Sequence, residues 1–322
     1  MRNRRDFMRK AGLLTVGLPL IGSQWACKNK ETAEVKSTVE EAVKQGFTLD
    51  QFGIQLWTVR EAMAEDPKGV LKQLADYGYD SIESFQSEQG VFWGMTAKEY
   101  KAYLDDLGMV TYSTHCDPSF ALDPTKRDEF KQLADDGAEI GLKYLINPFL
   151  GFIKEKDEFK KAIDGFNDLQ EICKERGMNY AYHNHHYSFR DWDGDYPQDM
   201  MMQGTADSGM AFEMDIYWVV TAGEDPIKWI EKYPNRFQLS HVKDRYKPAK
   251  LSEIEKEEGI ADGFEVNASC ILGEGQIDFD KILSVGKENG MKYFIVEQER
   301  YDGVTPLEAA EKDADYMEKF KA

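Results

Sequence analysis

The chain has 322 residues, 42% of them hydrophobic, with 59 acidic against 40 basic side chains and a formal net charge of −19. That length suffices for a sizeable core, and the acidic excess argues against a nucleic-acid partner, because phosphate binding would need a basic patch able to overcome that field. Beyond the N-terminal segment no apolar run is long enough to cross a bilayer.

The first segment differs from the rest. Arg4-Arg5-Asp6-Phe7-Met8-Arg9-Lys10 precedes the apolar stretch Ala11 to Gly22, the charged and hydrophobic regions of an export signal. The paired arginines with Phe7 and Lys10 resemble a twin-arginine signal, and Cys27 after Ala26 resembles a lipoprotein attachment cysteine, with Gln24 departing from the usual Leu. Residues 1–27 are therefore expected to be a signal, 28–49 a Lys/Glu/Thr-rich linker and 50–322 a single folded domain. The expected location is outside the cytoplasm, periplasmic or tethered to a membrane through lipidated Cys27. Residues 1–26 carry five basic groups and Asp6, a sum of +4, so their removal takes the charge from −19 to −23. Cys116, Cys173 and Cys270 then remain, too few and too widely spaced for a disulfide framework, and are read as buried thiols.

From Phe52 onward an amphipathic helix, a glycine and a short apolar strand recur. Helices are expected over 67–77, 96–107, 126–140, 157–176 and 280–289, each ending at a glycine (78, 108, 141, 177 and 290) that turns the chain into a strand over 79–83, 109–115, 143–147, 179–186 and 293–297. Strands over 53–57, 211–215 and 237–241 bring the count to eight, and a helix over 305–320, with Pro306 in its first turn, closes the series. Eight β/α units in roughly 270 residues predict a (β/α)8 TIM barrel. A doubly wound sheet is the runner-up, disfavoured by the lack of a Gly-rich phosphate loop after the first strand. Two longer segments, 186–210 and 245–276, follow strands and are expected at the C-terminal mouth as lids; Met200, Met201 and Met202 in the first could equally pack on the rim.

Each strand delivers a polar or aromatic residue at its C-terminal end: Trp57, Glu83, His115, Asn147, His183 with His185, Glu213 with Asp215, His241 with Lys243, and Glu297 with Glu299. The five histidines all occur at such ends, counting His186 beside the fifth strand. Alternation along 179–186 sends Ala181, His183 and His185 to one face. Any single member of this set could be an ordinary rim residue. Together, carboxylates and imidazoles in one pit need a cation or polar ligand to balance them. A set of nitrogen and oxygen donors without thiolates suits one divalent ion such as Mn, Co, Mg or Zn.

Tyr182-His183-Asn184-His185, Glu213-Met214-Asp215-Ile216-Tyr217-Trp218, His241-Val242-Lys243-Asp244 and Val296-Glu297-Gln298 resemble the motifs of the sugar phosphate isomerase/epimerase-like barrels of the xylose isomerase-like superfamily, over about residues 50–320. The resemblance implies one divalent metal held by Asp215, His241, Glu297 and either His183 or His185, where many relatives have Glu. Ser188 stands where relatives with the His-Asn-His pattern often carry Glu.

The constellation suggests metal-assisted proton abstraction next to a carbonyl, through an enediolate. Glu83, His115, Lys243, Glu213 and Glu299 are the candidates for catalysis, and Trp57, Asn147 and Trp218 for substrate contact. The enediolate can be reprotonated, as in an isomerase or epimerase, or can lose a β-substituent, as in a dehydratase or lyase acting on keto-sugars or 3-keto-glycosides. Export favours an unphosphorylated sugar. The reading placed first is a metal-dependent sugar isomerase or epimerase; the alternatives are the lyase and a carbohydrate-binding barrel without turnover. The oligomeric state is open.

Overall fold

The computed structural model describes residues 47–151, 153–246 and 268–321. Eight parallel strands close into a barrel: β1 (Gly53–Gln55), β2 (Ser81–Phe85), β3 (Val110–His115), β4 (Tyr144–Asn147), β5 (Asn179–His183), β6 (Ala211–Asp215), β7 (Phe237–Val242) and β10 (Tyr293–Val296), with β10 pairing to both β7 and β1. A separate antiparallel pair, β8 (Asp244–Arg245) and β9 (Ser269–Cys270), lies just past the end of β7. The closed cylinder excludes the doubly wound sheet. The expected signal, Cys27 and most of the linker lie outside the described residues, as do 247–267 of the second expected lid. The end of the expected linker belongs to the barrel: the Leu49 amide donates to the Phe320 carbonyl at 2.6 Å and its side chain is buried.

Local chemistry accounts for the elements. Thr96 and Thr305 each open a helix with a reciprocal capping box, to Glu99 and Glu308, and Asp66 caps the helix starting at Pro67. Each such cap contributes about 1 kcal/mol. Gly141 ends helix Arg127–Ile140 at φ +90°, a left-handed conformation that glycine adopts without a Cβ clash. Short helices at Arg60–Glu65, Pro197–Gly204, Ile216–Thr221 and Pro226–Lys232 were not expected, being six to eight residues long and too short for a periodic signal.

Alternation along the strands divides the core in two. In β6, Phe212 and Met214 point outward into the large apolar layer between barrel and helices, while Ala211 belongs to a small cluster inside the cylinder with Tyr144, Ile146, Ala181, Leu239 and Ile295. The outer layer holds fully buried rings such as Phe130, Phe166 and Tyr180, each worth roughly 1.5–3 kcal/mol of burial. Met201 and Met202 also join that layer, so packing is the correct account of the methionine run. The inner apolar cluster plugs the cylinder, and polar residues occupy the next inward positions toward the C-terminal end. Cys116 and Cys173 are buried thiols, as expected; Cys270 is only partly so.

Candidate metal centre and cavity

The polar interior of the barrel is organised by His241, which uses its two ring nitrogens in opposite directions. Toward the inside, Nε2 lies 2.8 Å from Glu83 Oε1 and 3.3 Å from Glu213 Oε2. His115 Nε2 meets the same two carboxylates, at 3.1 Å and 2.9 Å, with its ring stacked 5.4 Å from that of His241. Gln55 Nε2 donates to Glu83 Oε1 at 2.8 Å, and the Ser113 hydroxyl donates to Oε2. Burial opposes charge on Glu83, but His115 and His241 outweigh it and hold its pKa well below the usual carboxylate range. Burial and the charge of Glu83 raise that of Glu213. His115, penalised by burial but held by both carboxylates, is raised to about 9.

Toward the mouth, His241 Nδ1 lies 3.2 Å from Glu297 Oε2 and 3.9 Å from Asp215 Oδ2, and His183 Nε2 lies 3.4 Å from the same Asp215 oxygen. The donor atoms of His183, Asp215, His241 and Glu297 all lie within 4.8 Å of one another. Each is oriented from behind. Asp215 Oδ1 accepts the Trp218 amide at 2.9 Å, capping helix Ile216–Thr221 and leaving Oδ2 for the cluster. His183 Nδ1 faces the Pro148 carbonyl at 3.2 Å, so it carries the proton and Nε2 presents its lone pair. The carboxylates behind His241 accept from Nε2, which turns Nδ1 toward Glu297 and Asp215 on the mouth side. His183 Nε2 and Asp215 Oδ2 are buried without a hydrogen-bond partner. Burying such atoms unpaired costs about 1–3 kcal/mol each, and two imidazoles with two carboxylates suit a divalent ion. The residues therefore fit the metal.

His183 and His185 are separated by the end of the strand. β5 stops at His183, and His185 precedes a tight helical turn, His186–Phe189, so alternation no longer governs it. The His185 ring stacks between Tyr187 (5.4 Å) and Trp218 (5.2 Å) and lines the cavity, outside the four-residue cluster. Burial, then the neighbouring His183 and Lys243, depress its pKa well below that of a free imidazole.

Above the cluster opens a cavity of about 400 Å³ lined by Trp57, His115, His183, His185, Trp218, Glu297 and Glu299 among others. Six expected site residues are not in its lining: Asp215 and His241, which belong to the cluster just described, and four others. Glu83 and Glu213 lie beneath it, holding the imidazoles of His115 and His241. Lys243 is fully buried behind the acidic wall, paired with Glu299 and lying 3.4 Å from Glu297, with the rings of Tyr217 and Trp218 about it. Asn147 donates to the Pro118 carbonyl and accepts the Phe149 amide, both at 3.1 Å, which ties two loops together. Conversely, Gln55 and Ser113 were missed, although both occupy inward strand positions, Ser113 two residues before His115. Phe85, Pro118, Pro148 and Phe149, also unforeseen, line the cavity. Ser188 shares a hydrogen bond with the Tyr182 hydroxyl at 3.1 Å, and Asp244 accepts the amides of Arg245, Gly273, Gly275 and Ile277, a structural use of that carboxylate.

Residues 71–320 match the family model described as "Xylose isomerase-like TIM barrel". The chain belongs to this family. It is 28% identical to a solved structure titled sugar phosphate isomerase/epimerase from Parabacteroides distasonis, with a TM-score of 0.68 over 84% of this chain and 94% of that one. Among curated proteins, an inosose dehydratase of Clostridium perfringens is 29% identical over 171 residues, 52% of this chain and 57% of that protein, so the match spans little more than half of the relative. A xylose isomerase-like TIM barrel protein from Mycobacterium smegmatis, solved in complex with magnesium, superposes with a TM-score of 0.60 over 84% of this chain and 97% of that one, at 14% identity, a likeness of fold alone.

Proposed function

We propose that this barrel is a metal-dependent enzyme that abstracts the proton next to the carbonyl of an unphosphorylated keto-sugar or keto-polyol, and that elimination of a β-substituent follows. The observation that carries the reading is the cluster of His183, Asp215, His241 and Glu297, of which His183 and Glu297 line the cavity, with two of its donor atoms buried and unpaired. The residues that would hold the ion are those four, and it would supply Lewis-acid polarisation of the substrate oxygens.

The remaining roles fall to protein groups. His185 and His115 line the same cavity with pKa values pushed apart, the first depressed and the second raised to about 9. Both imidazoles face the cavity without belonging to the four residues that would hold the ion, which suits His185 as the base that takes the proton and His115 as the group that holds one for the departing or reprotonated oxygen. Glu299 is the second candidate base, restrained by its pairing with Lys243. Glu83 and Glu213 position the two imidazoles without touching substrate. Among the described residues, the cavity lining contains Asp117, Glu297 and Glu299 but no Lys or Arg, which is poor company for a phosphate.

Elimination is placed ahead of isomerisation because the curated relative named above is an inosose dehydratase. Epimerisation or isomerisation begins with the same proton abstraction and is the second reading, favoured by the name of the Parabacteroides distasonis protein. Export through the Arg4-Arg5 segment and tethering at Cys27 belong to this proposal on the sequence pattern alone. The test is incubation of metal-loaded protein with neutral ketoses and keto-inositols in D2O. Deuterium should enter the carbon beside the carbonyl, with dehydrated product accumulating, and His185→Ala should slow exchange by roughly 100-fold or more. Absence of exchange across the panel overturns the reading; exchange with only epimer or isomer as product selects the second.

A further inference from the structure

The cavity is built from two unlike halves. The ends of β5 and β10 and the segments after them contribute His183, His185, Glu297 and Glu299, whereas the ends of β1 to β4 and the segments after them contribute mainly apolar side chains, Trp57, Phe85, Pro118, Pro148 and Phe149, with Gln86, His115 and Asp117 as their polar members. Trp57 is 40% exposed and Phe149 49%, and only Val110 and Leu122 join them as exposed large hydrophobic residues among those described. A single exposed aromatic needs no explanation, but two on the rim of one cavity do. Both are braced. Trp57 stands edge-on to Phe85 at 5.1 Å, and Phe85 stands edge-on to the buried Trp93 at 5.1 Å. Phe149 stands edge-on to His185 at 5.5 Å and to Tyr187 at 5.8 Å. These rings are held in place before any ligand arrives, which reduces the entropy lost on binding.

Size gives the second constraint. At interior packing densities a hexose fills roughly half of 400 Å³, so a monosaccharide held at the metal cluster leaves the apolar half empty. A second sugar would need partners for its hydroxyls, and among the described residues that wall offers few polar side chains: Gln86, His115, the Trp57 indole N–H, and Asp117, whose carboxylate already engages Lys126 at 2.8 Å and the Ser119 amide. An aromatic ring needs none and would stack against the exposed faces.

We propose that the ligand is an aryl glycoside, its sugar unit against His183 and Glu297 and its aromatic aglycone on the wall formed by Trp57, Phe85 and Phe149. This rests on the reading above for which half receives the sugar, but its test is one of binding. Calorimetric titration of the metal-loaded full chain with a phenyl glucoside, a methyl glucoside and a glucose disaccharide should give at least tenfold tighter binding of the phenyl compound. Trp57→Ala and Phe149→Ala should each reduce that phenyl-over-methyl preference to within about threefold, with metal content unchanged. Equal affinity for phenyl and methyl compounds, a preference that survives in both variants, a disaccharide bound as tightly as the phenyl glucoside, or no binding of any at millimolar concentration would overturn the inference. Failure of the exchange assay with the binding preference intact would remove the chemistry alone; loss of the preference with exchange intact would remove only the aryl subsite.

Discussion

The two sides of His241 contain nearly the same groups and do different things. On the inner side, two imidazole nitrogens face two carboxylates, and Gln55 and Ser113 complete the shell of Glu83. Protons shared between nitrogen and oxygen can satisfy nearly all of these atoms, with Glu213 Oε1 the exception. On the outer side, His183 and Asp215 are each anchored through one atom, to Pro148 and to the Trp218 amide, and each leaves the other atom buried without a partner. A group of four donors therefore does not by itself mark a metal site. The distinction lies in whether the atoms pair among themselves or are fixed from behind with lone pairs converging on a common point.

The largest effect expected from this contrast separates the two histidines of the His-Asn-His segment. His183→Ala should abolish metal binding, while His185→Ala should keep metal content close to wild type and lose proton exchange; plasma mass spectrometry with the D2O assay reads both. If His185→Ala lost the ion and His183→Ala kept it, the assignment would be reversed.

Next comes the inner side. Glu83→Gln removes the negative charge behind His241 and should weaken metal affinity about 10- to 100-fold without eliminating the site. Competition with a fluorescent chelator measures this, and an unchanged affinity would mean that the inner cluster does not support the outer one. Saturating divalent ion, at about 100 times its Kd, should stabilise the fold by about 2.7 kcal/mol. For a barrel of this size that corresponds to a rise in Tm of roughly 5–10 °C, and the rise should vanish in Asp215→Ala.

The smallest effect concerns a buried carboxylate with no imidazole opposite it. Asp313 accepts the Leu272 amide at 2.8 Å, and burial, with Asp244 and Glu274 nearby, raises its pKa from 3.8 to about 8. The folded state thus keeps a proton that the unfolded chain releases, so this stabilisation is complete below about pH 4 and is lost as pH rises toward 8. Asp313→Asn retains the acceptor oxygen without titrating, and its Tm advantage over wild type should widen as pH rises from 5 toward 8 and then level off. A constant difference would show that Asp313 is ionised throughout.

Much of the fold was legible because five helices end at a glycine before an apolar strand, a signal carried by local backbone chemistry. Helices Ile216–Thr221 and Pro226–Lys232 were not, because six or seven residues do not complete an amphipathic pattern. The site residues were visible as strand ends, and His115, His183, Asp215, His241 and Glu297 do meet at one end of the barrel. Depth was not visible. One step of two residues along β6 separates Asp215, in the outer cluster with His183 and Glu297, from Glu213, in the inner one with Glu83 and His115, and sequence spacing alone does not tell them apart. Lys243 looked available for chemistry and is instead shut behind Glu297 and Glu299. His185 lies two residues past the end of β5, where alternation no longer governs its direction, although its ring still lines the cavity.

The most direct test of the outer cluster is the metal content of the purified chain beside Asp215→Ala, both checked by circular dichroism for an intact barrel. Close to one divalent ion per wild-type chain and close to none in the variant is the predicted result. Equal content in the two proteins would contradict it.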